Sequence, residues 1–136
     1  MTWVSSFGLL IGRCLISALF LLAGINKIFN FDRYLQSMTE KGLPVPSFLL
    51  IGAIIFLILG SILIIIGYKS RIGALLLLLF LIPTTLLFHN FWDLSGDQAA
   101  QEQINFMKNL SLMGGLIVLL SGGPGGCSFD ACSTRK

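Results

Sequence analysis

Few side chains in this sequence can do chemistry. They are Arg13, Lys27, His89, Trp92, Asp93, Lys108 and Asn109. His89 and Asp93 are four apart, so on a continuous helix they stack on one side. An acid beside a histidine holds its tautomer and can raise its pKa. Such a pair near a membrane surface can bind a quinone head group, move a proton or grip an anion. Trp92 and Phe91 also suit the aromatic belt of a bilayer interface. Arg13 sits seven residues into an apolar run, roughly 10 Å deep at 1.5 Å per residue. No acid lies within an apolar run to pair with it. Its guanidinium must either reach back to the head groups or meet carbonyls, hydroxyls such as Ser17 or Thr84, or an anionic or quinone ligand.

The elements that position these groups follow from composition. The chain has 136 residues, 55% of them apolar and only 11% charged, with a net charge of +3. Mean hydropathy is +0.90. A soluble domain carries about 25% charge. The nine basic residues are scattered, with no stripe that could track phosphates, which excludes a nucleic-acid partner. The partner this composition demands is the lipid bilayer.

Apolar runs long enough to cross the hydrocarbon core fall at about 7–25, 47–67, 72–92 and 104–120. The expected fold is therefore all-α: an integral membrane four-helix bundle forming a single domain over 1–136, with a flexible tail at 121–136. The run Leu75 to Leu79 lacks the alternation of a barrel strand. No Lys or Arg precedes Phe7, so the first run reads as a retained helix rather than a secretory signal. Between helices 1 and 2, Phe31, Leu35 and Met38 share one helical face. Asn30 or Asp32 stands at its start, and Gly42, Pro44 and Pro46 stop it, which predicts a short interfacial amphipathic helix. Residues 93–103 read as a polar loop, and Gly122-Gly-Pro-Gly-Gly126 as helix-breaking.

Four crossings put both termini on one side. The helix ends then gather Lys27, His89, Trp92, Asp93, Lys108 and Asn109 on the opposite face, where Lys27, His89 and Asp93 are expected to lie close together. Lys69, Arg71, Arg135 and Lys136 balance Lys27, Arg33, Lys41 and Lys108 across the membrane, and Arg13 tips the positive-inside count toward cytoplasmic termini. Gly8, Gly12, Gly24, Gly60, Gly73, Gly114 and Gly115 permit close helix approach. Pro83 predicts a kink in helix 3. Cys14 reads as a small apolar filler. Cys127 and Cys132 lack the two further ligands a zinc site needs, so no metal is expected.

Several pieces of the chain, in order, resemble the DoxX family of small four-helix membrane proteins. They are Arg13, Gly24-Ile-Asn-Lys27, Gly42-Leu-Pro44, Gly60 with Gly67, and Arg71-Ile-Gly73-Ala74. Then come His89-Asn-Phe-Trp92, Phe106-Met-Lys108-Asn109-Leu-Ser-Leu-Met-Gly114-Gly115 and Gly123-Pro-Gly-Gly-Cys-Ser128-Phe-Asp130. The resemblance implies a bacterial-type inner-membrane protein. The family name comes from a subunit associated with a sulfur-oxidising, quinone-reducing enzyme, so it also implies a quinone-linked oxidoreductase subunit or membrane redox partner. Many members carry a glutamate where this chain has Phe56, a midplane partner for Arg13 that is missing here. No flavin, haem or iron–sulfur motif occurs, and quinone is the cofactor class the resemblance admits. The rival readings are a non-catalytic accessory or assembly subunit of a larger membrane complex, and a small transporter or lipid-binding protein. A homo-oligomer stays open in each.

Overall fold

The computed structural model describes residues 3–133, and every regular element among them is helical. Helix α1 spans Trp3–Phe29, α2 Phe31–Glu40, α3 Pro46–Ile66, α4 Ser70–Phe88, α5 Gly96–Gly122 and α6 Phe129–Ser133, with a 3-10 turn at Phe91–Asp93. Four of these helices, α1, α3, α4 and α5, are long and apolar enough to cross a bilayer. The molecule is an all-α integral membrane protein.

The burial pattern is that of a protein solvated by lipid. On α3, Phe48, Ile51, Ile55, Leu59, Ile62 and Ile66 are exposed at spacings of three and four, and on α4 so are Ile72, Leu75, Leu79, Ile82 and Leu86. The opposite faces bury Leu57, Ile64, Leu77, Leu81 and Leu116 in one core. Lipid tails are as apolar as Leu, so helix association rests on close packing instead. Gly60 and Gly73 supply it at the α3–α4 crossing: a Cβ on Gly73 would stand 2.7 Å from the Gly60 carbonyl oxygen. Gly24 fits against Leu57 and Ile58 in the same way, and Gly115 against Ile16. Gly8, Gly12 and Gly114 face open space instead. The buried hydroxyls of Ser61 and Thr85 turn inward to the carbonyls of Leu57 and Leu81, each at 2.6 Å, and so stay satisfied within their own helices.

The chain order α1–α3–α4–α5 is also the packing order, while α1 and α5 meet sparsely. Helix α2 lies across α3 and buries none of its residues. Gly42, at φ 71°, ends it in the left-handed turn that favours glycine, and Pro46 occupies the first turn of α3.

Several boundaries differ from expectation, and α1 spans Trp3–Phe29 rather than about 7–25. Helix α4 ends at Phe88, because His89 adopts φ −118° and ψ 40° and leaves helical geometry. Helix α5 begins at Gly96 rather than near residue 104, so the expected polar loop forms its first two turns. The tail is also corrected. It turns back through Gly123 at φ 76° and Gly125 at φ 81°, then forms α6 against the α3–α4 turn. Arg135 and Lys136, used in the charge count, lie outside the described residues.

Candidate functional site

The expected cluster on the face away from the termini divides into two. The first part centres on His89. Its Nδ1 lies 2.7 Å from Glu102 Oε2, and both side chains are partly exposed. Asn105 Nδ2 donates to the same carboxylate oxygen at 3.3 Å. Asp93 is not the partner of His89. The helix has ended at Phe88, before either residue, and Asp93 instead accepts from Asn90 Nδ2 at 2.7 Å across the 3-10 turn. Sequence reasoning missed Glu102 because residues 93–103 read as a loop. Two signals could have found it. Ser95-Gly-Asp-Gln98 has capping-box spacing, and Glu102, Asn105 and Asn109 share one helical face. Asn109 Nδ2 donates to Thr85 Oγ1 at 3.0 Å and ties α5 to α4. Trp92, Phe91 and Phe106 form a set of edge-to-face rings beside these groups.

Lys27 goes elsewhere. Its Nζ lies 4.4 Å from the Tyr34 ring centre and 5.6 Å from that of Phe80, between α2 and α4. No hydrogen bond joins it to His89 or Asp93 among the described residues. Lys41, at the end of α2, lies 5.3 Å over the Phe88 ring. Lys108 is exposed on the outer face of α5 with Gln103 and Ser111, along a shallow depression.

Two of these rings, Phe80 and Phe88, belong to a groove of about 320 Å³ between α2, α3 and α4. Ala53 and Phe56 form its α3 wall and Met38 covers it from α2. Its size falls within the usual range of ligand pockets. Leu79, Pro83 and Thr84 share the α4 wall. Pro83 has no N–H, so the Leu79 carbonyl loses its helical donor there. The groove is thus apolar apart from Thr84 in its lining, and Lys27 and Lys41 lie over two of its rings.

Arg13 lies at the other end of the bundle. It is 2% exposed, and its Nη2 donates to the Cys127 carbonyl of the tail at 2.6 Å. It neither snorkels free nor meets a midplane acid. Position 56 is eleven residues from Gly67, the residue that Arg13 Nη1 abuts. That is about 16 Å along α3, so a glutamate at 56 would enter the groove rather than reach Arg13. Lys69 holds φ 45°, a backbone strain of about 1–3 kcal/mol, and its N–H donates to Asp130 Oδ1 at 3.0 Å. Arg71 Nη2 approaches the Ser121 carbonyl at 3.5 Å, a cation at the end of α5.

The family model for DoxX matches residues 8–90. The chain is 34% identical to the inner membrane protein YphA of Escherichia coli, over 90% of this chain and 87% of that one. It is 34% identical to the inner membrane protein YqjF of the same organism, over 95% and 94%. A Surfeit locus protein 4 homolog of Drosophila melanogaster is 35% identical over 54% of this chain and 29% of its own length. No solved structure matches.

Proposed function

The chain belongs to the DoxX family, and from that premise we propose that it holds a lipid-dissolved amphiphile of the quinone type in the α2–α3–α4 groove. In this reading it is the membrane subunit of a quinone-linked oxidoreductase, and the redox group that exchanges electrons with the quinone is carried by a partner. The groove is the observation that supports the reading. Its walls suit an isoprenoid tail. The Thr84 hydroxyl and the Lys27 ammonium can donate to ring carbonyls, and Lys27 and Lys41 favour any negative charge on the ring. The localisation proposed is the bacterial inner membrane, with both termini cytoplasmic.

The test is direct. Purify the protein in native-lipid particles and quantify co-extracted quinone against the Ala53→Phe variant, which fills the groove. Retention should fall at least fivefold. Equal retention would remove the groove as the site.

A second reading, an accessory subunit of a larger membrane complex or a homo-oligomer, has its own support. Gln103, Lys108 and Ser111 are exposed on α5 within a span, and a polar face of that kind suits a protein neighbour better than lipid.

A further inference from the structure

The terminus-side end of the bundle carries a site that is independent of the groove. Arg13 is buried, yet only its Nη2 is bonded, and Nε and Nη1 have no partner. Nη1 presses on Gly67, in the turn that leads into α4, so closely that a Cβ at Gly67 would collide with it. Ser70, the first residue of α4, is fully buried with its Oγ unpartnered, and so is Ser17, one turn along α1 from Arg13. A cation with spare donors, a spare hydroxyl and the N-terminus of a 19-residue helix therefore meet around one turn.

The tail occupies that place. Asp130 Oδ1 accepts from the Lys69 N–H at 3.0 Å, its own N–H donates to the Gly67 carbonyl at 3.0 Å, and the Cys127 carbonyl accepts from Arg13. The tail thus sets a carboxylate at the start of α4 and an oxygen on the guanidinium. A single phosphate group would supply both kinds of acceptor at once. It would also accept from Arg13 through two parallel bonds, which one neutral carbonyl cannot do.

We propose that this end of the bundle is a binding site for a phosphate-class oxyanion, and that the tail is its built-in occupant. Tail and ligand exclude one another, because the Asp130 carboxylate and a phosphate repel across the same helix start. Binding the oxyanion therefore releases residues 124–133 from the α3–α4 turn.

The experiment uses the full chain in maltoside micelles, which carry no phosphate, and reads amide hydrogen exchange across 124–133. Inorganic phosphate, phosphatidylglycerol and sodium chloride at matched ionic strength are added separately. Exchange in this segment, including the Asp130 amide, should accelerate at least fivefold with a phosphate-bearing probe and not with chloride. Acceleration by phosphatidylglycerol alone identifies a lipid head group, and acceleration by inorganic phosphate as well identifies a free oxyanion. Asp130→Asn should lower the half-saturating concentration several-fold, Ser70→Ala should raise it, and Arg13→Gln should abolish the response. If Arg13→Gln does not fold, the opposed shifts of Asp130→Asn and Ser70→Ala decide. Exchange that no probe changes, equal acceleration by chloride, or an undiminished response in Arg13→Gln would overturn the site.

Discussion

Arg13 and Cys127 are 114 residues apart in sequence, and the guanidinium of one donates to the carbonyl of the other at 2.6 Å. The bond joins the first membrane helix to the tail segment just before α6. It also places Arg13 beside the α3–α4 turn, at the end of the bundle rather than at its middle.

Arg13→Lys should therefore be destabilising. A lysine ammonium lacks the fork that reaches Cys127 while lying against Gly67, and the lost charged hydrogen bond is worth about 1.5–3 kcal/mol. Thermal unfolding in a fixed detergent checks this. A midpoint equal to that of the wild type would show that the arginine only needs to be a cation.

The glycines separate by position. Gly73→Ala should cost about 1–3 kcal/mol through overpacking, because its Cβ would meet the Gly60 carbonyl. Gly12→Ala faces open space and should be neutral or stabilising by up to about 1 kcal/mol. Both are read from unfolding midpoints. A loss at Gly12 that matches the loss at Gly73 would reveal a second copy packed on α1.

His89 and Glu102 should show coupling in a double-mutant cycle of about 0.5–3 kcal/mol using His89→Ala and Glu102→Gln. Asp93→Asn combined with His89→Ala should be additive, since the carboxylate of Asp93 belongs to Asn90. The reverse pattern would restore the helix-stacked pair expected from sequence spacing.

Phe56→Glu should reduce amphiphile retention in the groove at least tenfold and should leave the Arg13→Lys defect unrepaired. The new carboxylate would stand on the groove wall, about 16 Å along α3 from the level of Arg13. Quinone extraction and unfolding of the double variant measure the two effects. Recovery of stability in the double variant would mean that position 56 and Arg13 do communicate.

Topology has a chemical test as well. Cys127 and Cys132 are exposed thiols. With cytoplasmic termini they should resist a membrane-impermeant maleimide on intact cells and react once the membrane is permeabilised. Rapid reaction on intact cells would invert the orientation.

The membrane class, the four spans and the amphipathic helix at 31–40 were legible in the sequence alone, because each rests on composition or on local periodicity. Solvation by lipid is a property of a whole apolar run, and Gly42 with Pro44 and Pro46 marks a boundary whatever surrounds it. The resemblance carried by the ordered short motifs was legible for the same reason. Pairings between polar groups were not. Whether His89 meets Asp93 or Glu102 depends on where α4 stops, and the backbone of one residue decides that. Whether Lys27 joins His89 or stacks on Tyr34 and Phe80 depends on how α2 folds across its neighbours. The fate of Arg13 was least legible of all. Its depth along α1 suggested the bilayer interior, but the level of the α3–α4 turn and the return of the tail over it are facts of three-dimensional packing. They are set by Gly67, Gly123 and Gly125, whose backbone angles turn the chain, and by Asp130, whose carboxylate finds the start of α4 only once the helices have assembled.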